Sequence, residues 1–148
     1  AVAFGEALRP EFKEYAAQII KNAAVLADEL QQRGFQLVTG GTSNHLILAN
    51  VYESFGIDGK EVEIALDKIG LTLNANAVAD DPLPPFKPSG IRLGTPAITT
   101  RGLKEEHMTQ IAEWMKQAID ARDNDETLIS LRSEVKSFVK QFPLPSDE

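Results

Sequence analysis

Residues 89–102 read SGIRLGTPAITTRG and predict a short strand that runs into a helix. The isoleucine and leucine on either side of Arg92 alternate with it, as neighbours on opposite faces of a strand do. Gly90 and Gly94 bracket the arginine, so the backbone there can approach another group without a Cβ atom in the way. We therefore expect a stiff strand that holds Arg92 close to its end.

The helix after this strand has its own start signal. Thr95 is predicted to be the N-cap, and Pro96 occupies the first helical position, where a missing N–H costs nothing. A rigidly held guanidinium is a good receptor for a carboxylate, because two parallel N–H···O bonds fix both charge and orientation. From the residues alone, two interpretations of Arg92 stay open: a carboxylate-binding group, and a structural ion pair or surface charge.

Composition limits the class of protein. A chain of 148 residues with 43% hydrophobic content is typical of one domain, or of one domain with a helical arm. The net charge of −7 argues against nucleic acid or an anionic membrane as the main partner. The absence of cysteine excludes disulfides and thiolate chemistry, and two histidines argue against a histidine-rich metal site. No apolar run approaches membrane-spanning length.

Two helices are predicted before the first strand. Residues 1–8 are helix-like without a cap, an initiator methionine or a signal-peptide pattern, so we expect the chain to be part of something longer. Pro10 starts a second, long helix, whose apolar residues step by three and four until Gly34 ends it. Residues 1–33 are predicted to be a helical arm, and residues 34–148 a small α/β domain.

The middle of the chain alternates short strands with one helix. Strands are predicted at residues 35–39, 45–51 and 71–74, with a helix at 61–69 that Gly70 stops. The first two strands form a hairpin-like pair. Residues 74–88 are predicted to be a long loop that four prolines stiffen, and such a loop beside a strand end is more often the wall of a site than a connector.

Two amphipathic helices are predicted to close the chain, one at residues 104–121 and one that Pro143 and Pro145 end. The acidic run at residues 123–126 lacks the glycine and the distant glutamate of a calcium loop, and we interpret it as a cap with first-turn acids. Helices and a small sheet of mixed or antiparallel strands that share one core predict a two-layer α/β sandwich.

For three further polar residues we weigh a structural role against a role in binding. His45 is interpreted as a hydrogen-bonded structural histidine, since no second histidine or carboxylate cluster lies near it in sequence. Asn74 and Asn76 can offer both donors and acceptors beside the proline-rich loop, and a turn-forming role and a binding role stay equally open for them. No phosphate-binding glycine spacing of the dinucleotide or P-loop type occurs.

Ordered strings of residues along nearly the whole chain carry a family resemblance. Among them are Gly40-Gly41-Thr42, Asn44-His45-Leu46, Gly59-Lys60, Asn74 with Asn76, and SGIRLGTPA at residues 89–97. With these strings the chain resembles the C-terminal domain of the serine hydroxymethyltransferase family, whose members are pyridoxal-phosphate enzymes of the aspartate-aminotransferase-like fold.

The resemblance implies a longer parent that interconverts serine and glycine, with pyridoxal phosphate as cofactor and tetrahydrofolate as one-carbon carrier. It implies that Arg92 binds the amino-acid carboxylate and that Asn76 lies by the folate. The family's Schiff-base lysine and cofactor cradle belong to another domain, so the resemblance implies no catalytic, cofactor-binding or metal-binding residue in this chain. We therefore expect the chain alone to bind pyridoxal phosphate poorly and to catalyse nothing.

Two positions depart from the family's pattern. Ala75 stands where the family usually has lysine, so any contact by that lysine is lost, and Ser43 stands where aspartate is common, which we interpret as a turn substitution. The resemblance further implies a cytoplasmic parent that forms a homodimer or a homotetramer.

Two alternatives stay open. The chain could be the small domain of another enzyme of the same fold, such as an aminotransferase, although the Asn-x-Asn and Gly-Gly-Thr-x-Asn-His strings count against it. It could also be a stand-alone α/β binding module, although its uncapped helical start counts against that. An exposed apolar face on the first two helices would favour the fragment interpretations, because a domain separated from its partner leaves such a patch.

Overall fold

The computed structural model describes residues 1–144, which form helices packed on one antiparallel sheet. The helices are α1 (Val2–Ala7), α2 (Pro10–Gln32), α3 (Val51–Phe55), α4 (Gly59–Ile69), α5 (Pro96–Thr100), α6 (Met108–Asp120) and α7 (Asp125–Val139), with a 3₁₀ turn at Glu105–His107. The strands are β1 (Gln36–Leu37), β2 (Leu46–Asn50), β3 (Asn74–Asn76) and β4 (Gly90–Gly94). The predicted stop at Pro145 and the domain's end at residue 148 lie outside the described residues.

The sheet has the order β1-β2-β4-β3, and every neighbouring pair is antiparallel. One face carries Ile47, Ala49 and Ile91, which are buried in a single core with apolar side chains of α2, α4, α6 and α7. The predicted two-layer α/β sandwich and the hairpin-like pair of β1 and β2 are confirmed. Within residues 1–144, none of the helices is both long and apolar enough to cross a bilayer.

Both predicted glycine stops are confirmed. Gly34 has a φ of 88° and Gly70 a φ of 87°, in the left-handed region that glycine adopts without penalty. In each case the residue after the glycine donates its N–H back into the helix, Phe35 to the carbonyl of Leu30 at 3.1 Å and Leu71 to that of Leu66 at 2.9 Å.

The predicted third strand at residues 71–74 is wrong. The backbone N–H of Leu71 is used to close α4, and the strand forms three residues later, where Asn74 pairs with Arg92 and Asn76 with Gly90. The loop predicted from residue 74 therefore begins only after Asn76. Both asparagines are strand residues, which rules out the turn-forming interpretation.

Smaller differences concern element ends. The first predicted strand shrinks to Gln36–Leu37, and residue 51 opens the unpredicted helix α3. The helix predicted from residue 104 begins with the 3₁₀ turn and becomes α-helical at Met108. Thr95 is the residue before α5, but its side chain does not cap it; the hydroxyl donates instead to the carbonyl of Ile19 in α2 at 2.8 Å.

A buried amide joins α2 to the segment after the Arg92 strand. Asn22 is fully buried, and its amide nitrogen donates to the hydroxyl oxygen of Thr99 and to the carbonyl of Leu103, both at 2.9 Å. Its amide oxygen accepts from Gln18 at 2.9 Å. These bonds fix α5, and with it the end of β4, to the long helix.

Replacing Asn22 by leucine is expected to lower the free energy of unfolding by about 1–3 kcal/mol, because the buried carbonyl of Leu103 loses its donor. Urea denaturation measures this loss. Gln31→Leu, at an exposed position of the same helix, is the matched control and should change the free energy of unfolding by no more than about 0.5 kcal/mol. Equal values for the two variants would contradict the role of Asn22.

Candidate functional site

Arg92 lies in the middle of β4 and not at the predicted end of the strand, because pairing with β2 extends β4 to Gly94. It is on the sheet face opposite the core. Its side chain is exposed, and within residues 1–144 it makes no hydrogen bond and no ion pair. It lines an open groove of about 400 Å³, here called the Arg92 groove, whose other lining residues are His45, Leu46, Thr72, Leu73, Asn74, Leu93 and Gly94. Among residues 1–144, the structural ion pair is therefore contradicted, whereas a surface charge and a carboxylate-binding group both agree with this placement of Arg92.

The strand register places the two asparagines beside Arg92. Asn74 is directly opposite it on β3, and Asn76 is opposite Gly90, one pair further along. Side chains of paired residues in an antiparallel sheet lie on the same face, so Arg92 and both asparagines share the outer face. Asn76 is half-buried, and its amide nitrogen donates to the carbonyl of Ala77 at 2.7 Å.

The glycines around Arg92 are required by close backbone contacts, as predicted. A Cβ atom on Gly90 would lie 2.7 Å from the carbonyl oxygen of Asn76, and one on Gly94 would lie 2.8 Å from that of His45. Both distances are shorter than real Cβ contacts. The two glycines thus let neighbouring backbone approach β4 closely on both sides of Arg92, which fixes the strand that carries the guanidinium.

His45 is placed differently from the prediction. Its side chain is exposed and makes no hydrogen bond within residues 1–144, whereas its backbone carbonyl accepts from the N–H of Thr95 at 3.3 Å. The interpretation as a hydrogen-bonded structural histidine therefore fails for the imidazole. The residue lies at the edge of the Arg92 groove.

Sequence reasoning missed Asp81, which lies in the proline-rich loop. Its Oδ1 accepts from the backbone N–H of Leu83 at 2.9 Å and from the hydroxyl of Ser89 at 2.6 Å. Its Oδ2 accepts from the backbone N–H groups of Val78 at 3.1 Å and Ser89 at 3.0 Å. An aspartate that bonds to the N–H two residues ahead is a common turn feature, so the contact with Leu83 could have been predicted, but the contacts with Ser89 could not.

The same bonds set the protonation state of this carboxylate. Burial raises the pKa of Asp81, but the hydroxyl of Ser89 and the backbone N–H groups of Ser89, Leu83 and Val78 outweigh it and lower the pKa to about 2. The group is therefore ionised throughout the physiological pH range.

The acidic run at residues 123–126 has the structural role that was predicted. Asn124 caps α7 by accepting from the N–H of Thr127 at 3.1 Å, and Asp125 and Glu126 occupy the first turn. Within residues 1–144, no group of three or more histidine, aspartate or glutamate side chains is arranged to hold a metal ion.

An apolar surface extends over the first two helices. Helix α1 has no buried residue, and Val2, Phe4, Leu8, Phe12 and Ile20 are all exposed; we call these five the N-terminal apolar face. The observation that would favour a fragment is therefore present.

A hollow of about 360 Å³ continues this surface towards the site. Ile20 and His45 both line it, together with Tyr15, Ala16, Ile19, Asn44 and Pro96. Since His45 also lines the Arg92 groove and Ile20 belongs to the N-terminal apolar face, the hollow lies between the two.

Comparison with known proteins gives a consistent result. The family model described as serine hydroxymethyltransferase matches residues 1–115, which include Arg92, both asparagines and Asp81. The serine hydroxymethyltransferase of Acidobacterium capsulatum is 51% identical to the chain over 144 residues, which is 97% of this chain and 34% of that relative. The chain thus spans about a third of the length of this curated relative.

Proposed function

Because the chain belongs to the serine hydroxymethyltransferase family, we propose that it is the part of such an enzyme that binds the carboxylate of the amino-acid substrate. The proposed reaction of the complete enzyme is the interconversion of serine and glycine, with tetrahydrofolate carrying the one-carbon unit. The observation that supports this most is Arg92 itself: an exposed guanidinium on a rigid strand, between two glycines, with no partner within residues 1–144.

The proposed role of Arg92 follows from its surroundings. A guanidinium that is already paired must break that contact before it can bind a ligand, whereas Arg92 has none to break within the described residues. Two parallel N–H···O bonds to a carboxylate fix the position and the orientation of the amino acid at once. Held in this way, the substrate enters the reaction in one geometry, which removes part of the entropic barrier.

Asn76 is the proposed contact to the folate. It lies diagonally across from Arg92 on the neighbouring strand, a relation that separates Cα atoms by about 7–8 Å. An amino acid at Arg92 and a one-carbon carrier at Asn76 would therefore be neighbours. Ala75 pairs with Ile91 on the core side of the strand, so the loss of the family's lysine there changes the opposite face from the one that carries Arg92.

Pyridoxal phosphate does not fit the residues of this groove. Its aldehyde needs an amine to condense with, and no lysine is among the described residues that line the Arg92 groove. Lys60 and Lys68, on α4, are each paired with a carboxylate. We therefore propose that the cofactor is held by the rest of the complete enzyme, and that this chain alone neither binds it firmly nor catalyses the reaction.

The N-terminal apolar face is the proposed contact with that rest. The relative contains about two thirds of its length outside the match, and an uncovered apolar surface of this kind marks an interaction site. Because the adjoining hollow shares His45 with the Arg92 groove, a partner docked on this face would lie beside the groove. The family resemblance also leads us to propose a cytoplasmic location and a homodimeric or homotetrameric complete enzyme.

A segment-swapped enzyme tests the proposal. In it, the matched segment of the Acidobacterium capsulatum relative is replaced by this chain. We expect it to interconvert serine and glycine when tetrahydrofolate and pyridoxal phosphate are supplied, and we expect the chain alone to be inactive. A properly folded but inactive segment-swapped enzyme would overturn the proposed function. A stoichiometric borohydride-trapped adduct at one lysine of the isolated chain would overturn the assignment of the cofactor to the rest of the enzyme.

A further inference from the structure

One carboxylate joins the two ends of the loop that connects Asn76 to β4. Val78, two residues after Asn76, and Ser89, immediately before β4, both donate to Asp81. Ser89 contributes its hydroxyl as well as its N–H, and it is fully buried. The proline-rich loop is therefore closed on itself at its base by a side chain from its own interior.

The two ends of this loop are anchored unequally. The carbonyl of Ser89 accepts the N–H of Tyr52 in α3 at 3.0 Å, and the carbonyl of Pro88 accepts the N–H of Gly59 in α4 at 2.6 Å. The end that leads into β4 and Arg92 is thus fixed to two helices without help from Asp81. At the other end, Asn76 is held in the sheet by its pairing with Gly90, whereas beyond Asn76 the backbone N–H of Val78 has Asp81 as its partner.

We propose that Asp81 is a positioning residue for the folate contact: it ties the Asn76 end of the loop to the independently anchored Ser89. This rests on the proposed function, in which Asn76 is the contact to the folate, and on the prediction that the proline-rich loop beside it is the wall of a site. The inference predicts different effects on the binding of the two substrates. Loss of the carboxylate should disturb the folate side while Arg92 keeps its place.

The chemistry requires a carboxylate at this position. Each of its two oxygens accepts from two donors, so all four bonds need acceptors on both sides of the group. An asparagine has the same shape, but its NH₂ group would face a backbone N–H in either orientation, that of Leu83 on one side or those of Val78 and Ser89 on the other. The low pKa of Asp81 is in accord with this convergence of donors.

The test compares Asp81→Asn with two controls in the segment-swapped enzyme. Asp80→Asn removes the same charge from the neighbouring residue, which is exposed, makes no hydrogen bond or ion pair within residues 1–144 and has a φ of 52° that asparagine tolerates. Leu128→Ala, at a buried position of α7, destabilises the fold away from the loop.

For Asp81→Asn we expect the KM for tetrahydrofolate to rise on the order of tenfold or more, because small displacements of a binding group have effects of this size. The affinity of Asp81→Asn for glycine should equal that of the wild type. Both control variants should keep the wild-type KM for tetrahydrofolate and the wild-type affinity for glycine. An unchanged KM for tetrahydrofolate, an equal loss for glycine, or the same rise in Leu128→Ala would each overturn the positioning role.

Hydrogen exchange in the isolated chain tests the tie that Asp81 makes between the two ends of the loop, and it does not require an active enzyme. An inactive segment-swapped enzyme would therefore count against the proposed function alone. Asp81→Ala, which removes both acceptor oxygens, should speed exchange at the amide of Val78 and leave the amides of β4 protected, whereas Asp80→Asn should change neither. Wild-type protection of Val78 in Asp81→Ala would refute the tie between the two ends.

Discussion

Arg92→Ala is expected to weaken glycine binding to the segment-swapped enzyme by about 2–5 kcal/mol, a factor of about 30 to 4,000 in Kd. The substrate carboxylate would then lie in the groove without its paired donors, and truncating one partner of such a charged contact has effects of this size. Equilibrium titration with glycine measures the change. The role of Arg92 depends on this result, since the groove offers no lysine among its described lining residues to replace it.

The controls for this variant use its lack of intramolecular partners. Because Arg92 is exposed and makes no hydrogen bond or ion pair within residues 1–144, Arg92→Ala should change the free energy of unfolding by no more than about 1 kcal/mol. Arg92→Lys keeps the charge but loses the planar pair of donors, so its Kd should fall between those of the wild type and the alanine variant. Arg132→Ala, at an exposed arginine of α7, should bind glycine normally. Normal binding by Arg92→Ala itself would remove the residue from the site.

The Arg92 strand could be predicted from the sequence because its signals are local. Alternation, two bracketing glycines and a proline at the first helical position all lie within a few residues of one another, and each depends on backbone geometry alone. The same holds for the glycine stops of α2 and α4. Such features are set before any distant part of the chain is considered.

The position of β3 could not be predicted in this way. Asparagine favours turns, so local preference assigned the strand to the apolar residues before Asn74. In the structure, pairing with β4 decides the matter, because Asn74 lies opposite Arg92 although many residues separate them in sequence. The geometry of the candidate site depends on this register, since it is what brings both asparagines to the face of Arg92.

Thr95 and Asp81 show the same limit at the level of single side chains. Thr95 carries the sequence signal of an N-cap, yet it is fully buried against α2, where its hydroxyl donates to the carbonyl of Ile19. Asp81 follows another aspartate in a loop, and only the folded chain brings Ser89 to it. In both cases a tertiary contact competes with a local one and prevails.

Gly59→Ala is expected to lower the free energy of unfolding by about 3 kcal/mol or more, at or beyond the upper end of what overpacking usually does. Gly59 is the first residue of α4 and is buried against the start of β4. A Cβ atom there would overlap the carbonyl oxygen of Gly90 and would lie 3.0 Å from that of Pro88. Both obstacles are backbone atoms, so no side-chain rotation relieves them, and the helix must move away from the strand.

Denaturant unfolding of Gly59→Ala beside Gly5→Ala measures this effect. Gly5 lies in α1, and a Cβ atom added there would have nothing within 4 Å, so alanine should raise stability by up to about 1 kcal/mol through helix propensity. The same substitution thus has opposite signs at two helical glycines. The consequence reaches the site, because the displaced carbonyl belongs to the residue two before Arg92, so the variant should also bind glycine more weakly in the segment-swapped enzyme. Wild-type stability in Gly59→Ala would mean that α4 does not lie against β4 in this way, and the anchoring of the Arg92 strand would have to be sought elsewhere.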